Sequence, residues 1–155
     1  MAKATPRPFT PQQERFGSVV IKWLSAANTW IYRLTGGRIG GKFLRGAPVM
    51  LLTTTGRTSG EPRTAPLLYL ERGREIVVVA SKGGMSTHPM WFRNLEANPR
   101  CEVEIRTTKQ AMLSRRATEA EKAALWPSLL DMYPDFADYQ ARTTRDIPVV
   151  ILTPA

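Results

Sequence analysis

Apolar residues recur three and four positions apart between residues 16 and 34, at Phe16, Val19, Val20, Trp23, Leu24, Ala27, Trp30, Ile31 and Leu34. That period predicts an amphipathic helix. Ser18, Lys22, Ser25, Asn28, Thr29 and Arg33 fall on its opposite face, and Gly36 and Gly37 end it. Such a stripe either packs on its own domain or lies on a membrane surface. Trp23 and Trp30, beside Lys22, Arg33, Arg38 and Lys42, suit a headgroup layer. Periodicity does not choose between the two.

From residue 49 the period shortens. Residues 49–55 are apolar and β-branched, 63–70 follow a Gly-rich turn, and 75–80 form an Ile/Val run typical of a buried strand. Residues 89–98 read as a short helix closed by Asn98 and Pro99. Residues 101–105 alternate, which predicts one buried and one wet face. Residues 110–117 would pair with them across a turn at 107–109. Thr118 and Glu121 form a capping box for a helix that continues through Met132 to Pro134. A helical turn at 136–141 and a strand at 147–153 complete the chain. Six strands joined mainly by tight turns predict a mainly β fold with helices. The expected architecture is a six-stranded antiparallel split β-barrel with an N-terminal amphipathic helix. Residues 1–15 read as a flexible basic tail, 16–45 as the helix and a linker, and 46–155 as the barrel.

Length and composition narrow the field. The 155 residues, 43% hydrophobic, suit one domain with a real core. A net charge of +9 points to an anionic partner, whether nucleic acid, a membrane surface or an acidic small molecule. Nucleic acid is disfavoured, because the aromatics cluster on helices and do not interleave with basic residues over one face. One cysteine, Cys101, and one histidine, His88, argue against a disulfide or a structural zinc, so no metal is expected. The Pro-rich residues 1–10 lack the apolar core of a secretory signal. No apolar run reaches the roughly 18 residues that span a bilayer. The expected place is the cytoplasm, or peripherally the inner face of the cell membrane through residues 16–34.

Three segments carry candidate chemistry. In Thr55-Gly56-Arg57-Thr58-Ser59-Gly60-Glu61-Pro62-Arg63, two glycines permit a sharp turn and two arginines flank hydroxyls. Forked Arg donors and Ser/Thr hydroxyls suit a phosphate or carboxylate, although a solvated hairpin turn has the same composition. The P-loop ending and a Rossmann glycine fingerprint are both missing. In Ala80-Ser81-Lys82-Gly83-Gly84 a buried strand ends in groups that let a flat ligand approach the backbone. Met90, Trp91 and Asn94 follow, able to wall an aromatic ring and bond its edge, or simply to fill core. Tyr133, Phe136 and Tyr139 lie three apart on one helical face, as core packing or as an apolar lid with two phenols.

Taken together, TGRTSGEPR, ASKGG and PMWFRNL, in this order over residues 49–105, resemble the deazaflavin-dependent nitroreductase family of actinobacteria. These are split-barrel proteins that use coenzyme F420, an 8-hydroxy-5-deazaflavin. The likeness continues through Tyr133–Tyr139 and the last strand. It implies a phosphate and polyglutamate tail held by Arg57, Ser59, Arg63 and Lys82, with Thr58 in the same loop. It also implies a ring against Ser81, Lys82, Gly83 and Gly84, with Met90, Trp91 and Asn94 nearby. Ser81, Tyr133 and Tyr139 would face a quinone, enone or nitroaromatic substrate. Two departures stand out. Thr58 replaces a common lysine, and Leu68 and Phe136 replace substrate-side tyrosines of well-known nitroreductases, which weakens the case for nitroimidazoles more than for quinones or enones. Rival readings are a flavin mononucleotide oxidoreductase on the same barrel, a non-catalytic deazaflavin binder and a membrane-surface protein.

Overall fold

The computed structural model describes residues 4–42 and 46–155. The first three residues of the predicted tail and residues 43–45 of the predicted linker lie outside the described residues. Helix α1, Pro11–Thr35, begins five residues before its apolar stripe. Thr10 accepts the Gln13 N–H at 3.3 Å and Gln13 Oε1 accepts the Thr10 N–H at 2.9 Å. This capping box, with Pro11 where a missing N–H costs nothing, draws part of the predicted tail into the helix.

The strands are β1 (Val49–Thr55), β2 (Pro62–Leu68), β3 (Leu70–Arg72), β4 (Glu75–Val79), β5 (Arg100–Ile105), β6 (Thr108–Arg116) and β7 (Val149–Pro154). The further helices are α2 (Met90–Ala97), α3 (Glu119–Met132) and α4 (Phe136–Arg142). Among the described residues there are therefore seven strands, not the six expected, in one antiparallel sheet ordered β2-β1-β5-β6-β7-β4-β3. The extra strand comes from the run at 63–70. It pairs with β1 as far as Leu68, turns at Tyr69, whose N–H bonds Pro48 O at 3.2 Å, and then pairs with β4. An apolar run with no turn residue at the break, Leu67-Leu68-Tyr69-Leu70, does not reveal a change of partner. The end strands β2 and β3 do not pair with each other, so the barrel is split and not closed.

Alternate residues of the strands build two cores. Met50, Leu52, Ile76, Val78, Val103, Met112, Val150 and Leu152 face inward, capped by Trp91, Phe92 and Leu95 of α2. Full burial of a side chain such as Phe92 contributes roughly 1.5–3 kcal/mol. Val77, Val79, Val149 and Ile151 face outward under Leu125 and Leu129 of α3 and Phe136 of α4. Directions alternate along β1-β5-β6-β7-β4, so β1 and β4 run the same way. The chain thus leaves Thr55 and Val79 at one rim of the sheet.

Helix α1 lies on its polar face. Tyr32, 1% exposed, accepts the Arg106 N–H at 2.6 Å, and Arg33 Nε meets Glu104 Oε2 at 3.2 Å. Glu104, expected on the wet face of β5, is buried by this contact. The apolar stripe points outward, with Trp23 72% and Trp30 66% exposed. Of the two arrangements the period allowed, the stripe does not pack on its own domain.

Candidate active site

The loop after β1 is shaped by its own polar groups. Gly56 N–H donates to Glu61 O at 2.7 Å and Gly60 N–H to Gly56 O at 2.8 Å. Ser59 Oγ accepts the Glu61 N–H and the Arg63 guanidinium, at 3.2 and 3.4 Å. A Cβ on Gly56 would sit 2.5 Å from Ser59 Oγ and 3.2 Å from Glu61 O, so a side chain there would displace the Ser59 hydroxyl from its bonds in the turn. Arg57, Thr58 and Arg63 are exposed, with Glu61 3.6 Å from Arg63. Asn94, buried in α2, clamps the loop: its Oδ1 accepts the Arg57 N–H at 3.1 Å and its Nδ2 donates to Thr54 Oγ1 at 3.0 Å. Asn94 thus holds the protein backbone where the sequence pointed to a ligand edge.

At the same rim, the chain turns sharply after β4. Ser81 is 9% exposed and makes no capping bond with its hydroxyl. Lys82, Gly83 and Gly84 all have positive φ. The two glycines differ in use. A Cβ on Gly84 would lie 2.6 Å from Tyr139 O, so α4 packs directly on it, whereas nothing lies within 4 Å of a Cβ on Gly83. The open space at this turn is therefore at Gly83. Lys82 Nζ donates to Thr87 Oγ1 at 3.2 Å. Burial, with Arg145 and Arg93 nearby, pulls the Lys82 ammonium below the usual lysine range, and Glu14 opposes that shift.

Arg145, which carries no local sequence signal, braces this turn. Its guanidinium donates to Ala80 O at 3.2 Å, Ser81 O at 2.7 Å and Met85 O at 2.8 Å. It also lies 3.0 Å from His88 Nδ1. A guanidinium only donates, so Nδ1 is the acceptor and the imidazole proton sits on Nε2. Burial, reinforced by Arg145, holds His88 below its usual range, so it stays neutral and shapes the loop.

Tyr133 does not share a helical face with Phe136 and Tyr139, because it ends α3 in an extended conformation and α4 begins at Phe136. The fold between the helices still brings the Tyr133 and Tyr139 hydroxyls 3.1 Å apart. Burial, then the Tyr139 hydroxyl, pushes the Tyr133 phenol well above its ordinary value, so it remains protonated and able to donate. Leu68 and Phe136 join the same cluster, making its wall apolar. Trp91 sits in the inner core, while Met90 is 59% exposed. Cys101 is a half-buried thiol, pushed up to about 11 by desolvation, which disfavours the reactive thiolate.

Among the described residues no bond joins the Arg57 loop directly to Lys82; α2 spans between them. Arg93 is close enough to perturb Lys82, and its neighbour Asn94 holds Arg57. Arg93 is thus a further cation at this rim that the sequence reading missed. Arg57, Arg63, Lys82 and Arg93, with free backbone space at Gly83, fit an acidic ligand carrying a flat ring. Two shallow grooves, of about 330 and 630 Å³, lie elsewhere, on α1 around Trp30 and beside Trp126 of α3.

The sequence profile of the F420H(2)-dependent quinone reductase family matches residues 24–154. The F420H(2)-dependent quinone reductase Rv1261c of Mycobacterium tuberculosis is 38% identical over 126 residues, 79% of this chain and 85% of that protein. The structure of an F420-H2 dependent reductase (FDR-A) superposes with a TM-score of 0.63 at 38% identity, covering 68% of this chain and 93% of that one. A domain-swapped dimer superposes with a TM-score of 0.66 at 34% identity, covering 84% and 97%. With its matching profile, its identity to these relatives and its split sheet, this chain belongs to the F420H(2)-dependent quinone reductase family.

Proposed function

We propose that this chain transfers a hydride from reduced coenzyme F420 to a quinone, with enones and nitroaromatics as further acceptors. The observation that carries this is the rim itself: β1 and β4 deliver two donor-rich turns to one end of the sheet, and α2 ties them together. Arg57, Ser59 and Arg63 would hold the acidic tail, and Lys82 and Arg93 would add positive charge along it. Ser81, Gly83 and Met90 would border the ring.

When bound, the coenzyme supplies the hydride chemistry, and the protein must bind, orient and keep water out. Transfer requires acceptor and ring atoms about 3–3.5 Å apart. Negative charge then develops on the acceptor oxygen. Ser81 Oγ and the phenol of Tyr133 would donate to it, and the 3.1 Å contact with the Tyr139 hydroxyl supports an orienting role for Tyr139. The Asp135 side chain also bonds the Tyr133 hydroxyl, and solvent would complete the protonation. The apolar Leu68 and Phe136 favour a quinone face over a nitro group. Rates with a naphthoquinone, an enone and a nitroimidazole, all with reduced F420, test this order. A nitroimidazole preferred over the quinone would refute it.

The same reading places α1 on a lipid surface. Its outward Trp23 and Trp30, with the exposed Lys22, support that position, which suits a lipid-soluble quinone. No helix among the described residues is long and apolar enough to cross a membrane.

A further inference from the structure

The start of α1 rests on the turn that carries Lys82. Phe9 stacks under the Arg142 guanidinium at 4.4 Å, and Arg142 in turn donates to Gly83 O at 3.0 Å. Gly17 approaches so closely that a Cβ there would lie 2.8 Å from the Met85 methyl, and Ser18 Oγ lies 3.8 Å from Met85 Sδ. A carboxylate joins these contacts. Glu14 Oε1 accepts the Ser86 N–H at 2.7 Å and Oε2 accepts the Ser86 hydroxyl at 2.6 Å. This two-pronged grip, which draws also on the charges of Lys82 and Arg145, holds the Glu14 carboxyl below the usual carboxylate range.

A backbone N–H, a hydroxyl and an adjacent ammonium are the donor set with which proteins hold a phosphate or carboxylate. Here that set is filled by the chain's own carboxylate, 72 residues away in sequence. We propose that the Ser86 amide and hydroxyl, beside Lys82, form a cradle for an anionic group of the ligand, and that Glu14 occupies it as a tethered competitor. Loading an anionic ligand then displaces the first turns of α1 from the turn after β4. This deepens, and rests on, the assignment of an acidic coenzyme. It adds a subsite at Ser86 and a reason for the helix to move.

The test compares wild type with Glu14→Gln, which keeps the side-chain length and one acceptor but removes the charge. Both are titrated with oxidised coenzyme F420, with a phosphate-free deazaflavin and with inorganic phosphate. Glu14→Gln binds F420 roughly three- to tenfold more tightly, as expected for losing an exposed ionic competitor. Its affinity for the phosphate-free deazaflavin is unchanged. Ser86→Ala in the same background removes most of the gain. Hydrogen exchange over residues 11–18 speeds up in wild type when F420 binds.

Equal affinities in wild type and Glu14→Gln, an equal gain for both deazaflavins, or slower exchange over residues 11–18 on binding would each overturn the proposal. Failure of wild type to bind F420 at all would instead refute the coenzyme assignment. Phosphate then decides for the cradle, which stands only if Glu14→Gln binds phosphate more tightly than wild type.

Discussion

Asn94 and Arg57 are 37 residues apart in the chain, yet Asn94 Oδ1 accepts the Arg57 N–H at 3.1 Å. With its second bond to Thr54, the buried amide joins α2 to the loop that leaves β1. Asn94→Ala leaves the Arg57 N–H and the buried Thr54 hydroxyl without these partners. It should cost about 1–3 kcal/mol in urea unfolding and weaken F420 binding by loosening the loop. Unchanged stability would mean that the loop holds its shape without the clamp.

On the proposed reading, Ser81 and Tyr133 donate to the acceptor oxygen. Loss of one preorganised donor costs on the order of 10²–10³ in turnover at well-formed oxyanion sites. Ser81→Ala and Tyr133→Phe should both lower kcat with a quinone by at least about tenfold, allowing for partial replacement by water. Affinity for F420 should change far less. Equal losses in turnover and coenzyme binding would remove the residue concerned from the donor role.

Gly83 and Gly84 are adjacent and both have positive φ, but only Gly84 is pressed against α4. Gly84→Ala must shift the Tyr139 backbone and with it the Tyr133–Tyr139 pair. Its melting temperature should fall further than that of Gly83→Ala, which meets only the backbone penalty of roughly 1–2 kcal/mol. Equal melting temperatures would mean that α4 yields freely.

On the proposed lipid-surface position of α1, docking would depend on its outward stripe. Trp23→Ser combined with Trp30→Ser should abolish co-sedimentation with anionic phosphatidylglycerol vesicles and leave the circular dichroism spectrum and reductase activity on a water-soluble quinone intact. Retained sedimentation of the double variant would place the lipid contact elsewhere.

Much of the site was legible because its parts are local. Arg57 to Arg63, Ser81 to Gly84 and Tyr133 to Tyr139 are each short segments whose glycine, hydroxyl and charge content states their chemistry. The strand count was not legible, because the run changes partner at Tyr69, between Leu68 and Leu70, with no turn residue to mark the break. Nor was the orientation of α1: a helical period shows which face is apolar, not whether anything covers it. Arg145 and Glu14 escaped notice for another reason. Arg145 reaches back 60 residues to Met85, and Glu14 reaches forward 72 to Ser86. Such pairings leave no mark in a local window.

Binding of coenzyme F420 at the rim built by Arg57, Arg63 and Lys82 is the central claim, and fluorescence titration of the coenzyme tests it most directly. Wild type should bind F420 saturably and in preference to flavin mononucleotide. Arg57→Ala combined with Arg63→Ala should weaken binding at least about tenfold at low salt, with the difference shrinking as salt screens the tail. Preference for flavin mononucleotide, or an F420 affinity indifferent to both the arginines and salt, would contradict it.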